Sequence, residues 1–260
     1  MKTFLFIVLA LASFPSIDAH AFGKKPASPA PAPAPQPSPP PNNPSDKGCP
    51  SPGAVQAVDL SMPVDQKFLD AMKTLKVNTV IRYYDHTNET LPGKTLRAAE
   101  VDLLARNGFD LMVVFQHNNN SIASFTPARG TSDANRSLQL AAQFRQTQGS
   151  AIYFGVDGSW SSSTDLAKVK TYFENASPLV RGGGFKVGAY GSGFICTELL
   201  KSGLVDYCWL ANAKGWPGYS SFYATNKWTM VQKVPQDCGG KNVDFNVVNP
   251  QIPDLGQFRP

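Results

Sequence analysis

Ala151-Ile152-Tyr153-Phe154-Gly155-Val156-Asp157 is the stretch that decides the fold. It is a short apolar run, rich in β-branched and aromatic residues, with helix-like patterns on both sides. Such a run reads as a parallel strand covered on both faces. It ends in a carboxylate, followed by Gly158, Ser159 and Trp160. In α/β barrels the chemistry sits at the C-terminal ends of the strands, where Asp157 would stand. The plainer alternative is that Asp157 accepts backbone N–H groups of the next loop. Recurrence of the pattern along the chain favours the functional reading.

Working outward, strand-like segments fall at 54–60, 79–84 and 110–116 before this stretch. Others follow at 186–191, 207–211, 228–233 and 243–248. Helical periodicity occupies 64–75, 95–107, 164–175 and a short 192–201. A further helix is predicted over 133–148, with Asp133 as its N-cap and Gly149 past its end. Eight strands alternating with helices predict an α/β fold, a single (β/α)8-type TIM barrel, irregular and with fewer helices in its C-terminal half. No helix separates the last two strands. Pro235-Gln236-Asp237-Cys238-Gly239-Gly240 reads as a turn, so a hairpin is expected there. A doubly wound open sheet is the alternative architecture.

The barrel does not need the whole chain. Lys2, the apolar run Phe4 to Phe14 and Ala19-His20-Ala21 predict a signal peptide over 1–21. Residues 22–48 form a Pro/Ala-rich segment that cannot bury a core and reads as an extended linker. The barrel is expected over 49–260. Localisation is therefore expected to be secreted, extracellular or periplasmic. No later stretch is apolar enough for membrane insertion. The net charge of +5 is spread out, which argues against a nucleic-acid partner. A monomer is expected.

The four cysteines, Cys49, Cys196, Cys208 and Cys238, suit disulfides in an exported chain. Three pairings are open. Cys196 and Cys208 flank one short helix and could close a local loop, which would leave Cys49 to pair with Cys238. Their spacings match no zinc pattern, and only His86 and His117 lie in the barrel region, so neither a metal nor a cofactor is expected. Asn119-Asn120-Ser121 is one of several segments that fit the glycosylation pattern.

The strands end in Asp59, Tyr83, Gln116, Asp157, Tyr190, Trp209 to Asn212, Gln232 and Asp244 to Asn246. Aromatic faces stack on sugar rings, and amides and carboxylates bond their hydroxyls. Two carboxyl groups flanking one pocket is what glycosidic cleavage requires. Asp157, Asp59 and Asp244 are the catalytic candidates. Tyr83, Gln116, Tyr190, Trp209, Asn212 and Gln232 are the substrate-binding candidates.

These segments carry a family resemblance. Asp59, Ile81-Arg82-Tyr83, Val114-Phe115-Gln116, Asp133-Ala134, Ile152 to Asp157, Val187 to Ser192, Trp209-Leu210-Ala211, Gln232 and Val243-Asp244-Phe245-Asn246 resemble a glycoside-hydrolase-like domain of secreted proteins. That domain is related to the family-25 lysozymes, which are muramidases on an eight-stranded barrel. The resemblance implies action on peptidoglycan or a similar cell-wall glycan. In the lysozymes strand four ends in Asp-x-Glu, whose Glu is the proton donor. Here Ser159 stands in that place, and a hydroxyl is too weak an acid to protonate a leaving oxygen. Reduced activity is therefore expected, with a non-catalytic glycan-binding or envelope-interaction module as the alternative. Asp85, Glu89 and Asp165 are further acids that could substitute.

Overall fold

A computed structural model describes residues 48–87 and 91–260. The predicted signal peptide, nearly all of the predicted linker, and Glu89 lie outside the described residues.

The fold is a closed α/β barrel. Its parallel strands are β1 (Ala57–Asp59), β2 (Thr79–Tyr84), β3 (Asp110–Phe115), β4 (Ala151–Gly155), β5 (Lys186–Gly191), β6 (Tyr207–Leu210) and β7 (Met230–Gln232). A short β8 (Gln236–Cys238) leads into β9 (Lys241–Val248). β9 runs antiparallel to both β7 and β1 and closes the ring, so the expected hairpin is present, with β8 as an added flap. Among the described residues six α-helices surround the strands: α1 (Gln66–Thr74), α2 (Ala98–Asn107), α3 (Pro127–Gln143), α4 (Ser163–Gly182), α5 (Gly193–Lys201) and α6 (Tyr219–Ala224).

Strand side chains alternate between two faces, and here the two faces build two cores. Val80, Val113, Ile152, Phe154 and Leu210 point outward and pack under helix residues such as Phe68, Leu104 and Phe173. Ala57, Ile81, Met112, Val114, Ala151, Tyr153, Tyr207, Trp209 and Met230 fill the barrel interior. The chain's end seals the lower mouth. Leu255 is buried among the interior residues, Tyr153 Oη donates to its carbonyl (3.0 Å), and Phe258 bridges to Leu111.

The helices differ from the sequence expectation. α3 begins at Pro127 and ends at Gln143, short of the expected 148, and Thr126, not Asp133, is its N-cap, accepting from Arg129 N. Proline at the first helical position has no N–H to satisfy, which makes Thr126-Pro127 the stronger start signal. Asp133 lies fully buried inside the helix, where Arg129 Nε (2.6 Å) and Tyr172 Oη (2.8 Å) donate to it. α4 runs through Pro178 to Gly182, beyond the expected end at 175. α6 was not expected at all. Both disulfides are formed, Cys49–Cys238 and Cys196–Cys208, with Cα separations of 5.0 and 5.7 Å. The first ties the entry of the barrel to the β8 flap, and the second ties α5 to β6.

Candidate active site

The interior rows of residues end at the upper mouth in polar side chains. Continuing each inward row by two residues gives Asp59 above Ala57, Tyr83 above Ile81, Gln116 above Val114, Asp157 above the Tyr153–Gly155 row, Trp209 above Tyr207 and Gln232 above Met230. The same pleat that fills the barrel with apolar groups thus delivers the candidate residues to one end. Tyr83, Gln116, Asp157, Tyr190, Trp209, Asn212, Gln232 and Asp244 line one cavity of about 310 Å³. Val114, Lys233, Val234 and Pro235 complete its wall.

Asp59 is the exception. It is fully buried and stands behind the wall rather than in it. Asn246 Nδ2 donates to Asp59 Oδ2 (2.7 Å), and Tyr83 Oη donates to Oδ1 (3.2 Å). Gln232 Nε2 approaches both oxygens at 3.4 Å. Trp209 Nε1 donates to Asn246 Oδ1 (2.7 Å). An indole N–H can only donate, so it fixes the Asn246 amide with its NH₂ toward Asp59. Tyr190 Oη donates to Gln232 Oε1 (2.9 Å).

Asp244 lines the cavity and pairs with Asp59 across the β1–β9 ladder. Burial, together with the neighbouring Asp244, pushes Asp59 up to about 8. Burial pushes Asp244 up to about 6. Two carboxyl groups in one low-dielectric site cannot both ionise freely, so the pair holds a proton near neutral pH.

Asp157 occupies the other side of the cavity. Gln116 Nε2 donates to its Oδ2 (3.2 Å). Burial raises its pKa, while the Gln116 N–H and the Lys94 cation oppose that rise. Lys94 Nζ donates to the Gln116 carbonyl (3.1 Å) and lies 4.8 Å from the centre of the Tyr83 ring. Asn119 fixes this corner. Its buried side chain accepts from His117 N (2.7 Å) and donates to the Gly155 carbonyl (2.9 Å), and its own carbonyl accepts from Asp157 N (3.0 Å). That burial rules Asn119 out as a glycosylation acceptor in the folded chain.

Neither Asp85 nor Asp165 lines the cavity. Asp85 is buried against His117 Nδ1 and His86 N. Asp165 sits in the first turn of α4. Ser159 is exposed and is not part of the cavity wall. Among the described residues no cluster of His, Cys, Asp and Glu could hold a metal ion.

A barrel whose upper mouth gathers carboxyl groups, amides and aromatics defines a glycoside-hydrolase-like domain. The chain belongs to the family described as Rv2525c-like, glycoside hydrolase-like domain, whose model matches residues 70–249. The fold is similar to that of the Tat-secreted protein Rv2525c of Mycobacterium tuberculosis. That likeness has a TM-score of 0.64 and 21% identity, and covers 78% of this chain and 98% of that one. A B. stearothermophilus protein matches at TM-score 0.59 and 11% identity, over 79% of this chain and 100% of that chain. The uncharacterized protein FadG of Bacillus subtilis is 20% identical over 167 residues, which is 63% of this chain and 29% of FadG. The chain thus spans less than a third of that relative's length.

Proposed function

We propose that the protein is an exported domain that hydrolyses a β-linked cell-wall glycan such as peptidoglycan, with Asp244 as proton donor and Asp157 as the ionised carboxylate. The observation that carries this reading is the division of charge in one cavity. The Asp59–Asp244 pair retains a proton; burial raises Asp157 as well, but there the Gln116 N–H and the Lys94 cation oppose the rise. Glycosidic cleavage needs one carboxyl group of each kind. Asp244, the member of the pair that lines the cavity, delivers the proton to the leaving glycosidic oxygen as its bond to the anomeric carbon breaks. Asp157 stabilises the developing positive charge or takes a proton from the attacking water. Asp59 keeps the proton available to Asp244, a role it can fill without touching substrate. Tyr83 and Tyr190 offer ring surface to a sugar, buried Trp209 backs Tyr190, and Asn212 and Gln232 offer amides. Both disulfides suit an oxidising compartment outside the cytoplasm.

A second reading, glycan binding without turnover, is favoured by Ser159, which brings no acid to the end of strand four. Retention on insoluble peptidoglycan and release of reducing ends, measured together for wild type and Ser159→Glu, separate the two. Release by wild type supports hydrolysis. Retention without release, with turnover gained only in Ser159→Glu, supports the binding module. Neither retention nor release, on peptidoglycan or on chitin-type oligomers, overturns both.

A further inference from the structure

Charged groups of the cavity are unevenly satisfied. Asp157 accepts from the Gln116 amide, and Asp59 from the Asn246 amide and the Tyr83 phenol, while Asp244 stands opposite Asp59 in the ladder. Elsewhere, partly or fully buried cations have partners: Arg82 pairs with Glu100, Arg129 with Asp133 and Lys241 with Asp65, and Arg136 donates to the Asp85 carbonyl. Lys233 differs from these. It lines the cavity and is half-buried, and its backbone N–H donates to the Phe245 carbonyl. Among the described residues its ammonium group makes no ion pair or side-chain hydrogen bond, although Asp157 and Asp244 share its cavity. The neighbouring cation, Lys94, is committed to the Gln116 carbonyl and the Tyr83 ring.

We infer that Lys233 is a specificity-determining residue, and that the cavity selects a sugar carrying a carboxylate over a neutral sugar. A charge-assisted bond from a lysine ammonium group to a carboxylate is about twice as strong as a neutral one. A neutral sugar leaves this donor with only a hydroxyl to bond. Two sources carry the required group: uronic acids, and lactyl-ether sugars whose carboxyl group is not blocked by an amide-linked peptide. The inference rests on the glycan reading above and deepens it.

The test is a binding comparison by titration calorimetry, using the purified protein with three probes. They are β-linked glucuronic acid oligomers, peptide-free glycan strands with a free lactyl carboxylate, and neutral chitin oligomers of equal length. Each acidic probe is paired with its carboxyl-reduced counterpart. Wild type is expected to prefer at least one acidic probe over its reduced form by ~10-fold, a preference that shrinks as salt rises. The probe that shows the preference identifies the source. In Lys233→Gln the ratio is expected to fall to about one, with circular dichroism and the melting temperature confirming the fold. Equal binding of acidic and reduced forms by wild type overturns the inference and leaves the glycan reading standing. So does an unchanged ratio in Lys233→Gln. Failure to bind any probe, neutral oligomers included, overturns the glycan reading and the inference with it.

Discussion

Asp59 and Asp244 stand directly opposite one another in the antiparallel ladder of β1 and β9, and their side chains project to the same face. The closing strand brings Asp244 to the cavity wall, and the first strand buries Asp59 behind it. In an all-parallel barrel these two positions would not meet as a cross-strand pair, so the antiparallel closure is what creates the proton-holding unit.

The first prediction follows from linkage. Both groups titrate above the ordinary aspartate value of 3.8, at about 8 for Asp59 and about 6 for Asp244. Between 3.8 and these values the folded chain holds protons that the unfolded chain has lost. The stability they contribute is therefore fully present below the unfolded value, and is lost as pH rises through the folded ones. Asp244→Asn removes one of the two groups and the repulsion that raises the other. The melting temperature of wild type is expected to fall more steeply than that of Asp244→Asn between roughly pH 4 and pH 8. Parallel curves would contradict the coupling.

A second prediction concerns Asn119. Replacing it with Ala leaves His117 N and the Gly155 carbonyl without their side-chain partner. A buried group left unsatisfied costs about 1–3 kcal/mol. Urea denaturation of Asn119→Ala should show a loss of that size, and a loss below about 0.5 kcal/mol would show that water replaces the amide.

The disulfides give a third. Cys49–Cys238 links residues 189 apart in sequence, and Cys196–Cys208 links residues 12 apart. In the chain-entropy model the longer loop stabilises more, roughly 5 against 3 kcal/mol. Replacing Cys49 and Cys238 with Ser should therefore lower the denaturation midpoint more than replacing Cys196 and Cys208. The reverse order would show that strain or packing, not loop entropy, governs these bonds.

Much of the site was legible because a strand's pleat is legible. Tyr83, Gln116, Tyr190, Trp209 and Gln232 lie in step with the apolar residues that fill the barrel, so period-two reading places them at its mouth. The same reading put Asp59 in the pocket, but Asn246 and Tyr83 close over it and leave it buried. Asn246 lay inside the recognised Val243–Asn246 segment, yet only the indole of Trp209 shows its amide to be a clamp on Asp59. Lys94 and Asn119 had no such signal, because they lie in loops, where no periodicity says which way a side chain turns. Lys233 ends the strand expected over 228–233, where alternation with Gln232 would turn it away from the cavity. Asp133 was misread because an acid before a helical run resembles a cap, whereas Arg129 and Tyr172, from the same helix and its neighbour, make it a buried anchor. α6 escaped notice because Trp216-Pro217-Gly218 reads as a loop, and the helix after it is only six residues long.

The most direct measurement of the central claim is reducing-end release from peptidoglycan as a function of pH, for wild type, Asp244→Asn and Asp157→Asn. Losing a positioned acid or base lowers a rate by ~10²–10⁴-fold. Wild type is predicted to release reducing ends, with the rate falling on the alkaline side as the Asp59–Asp244 pair gives up its proton. Each variant is predicted to lose activity by that factor while remaining folded. Release by Asp244→Asn at the wild-type rate, with the alkaline fall unchanged, would contradict the assignment of the proton to this pair.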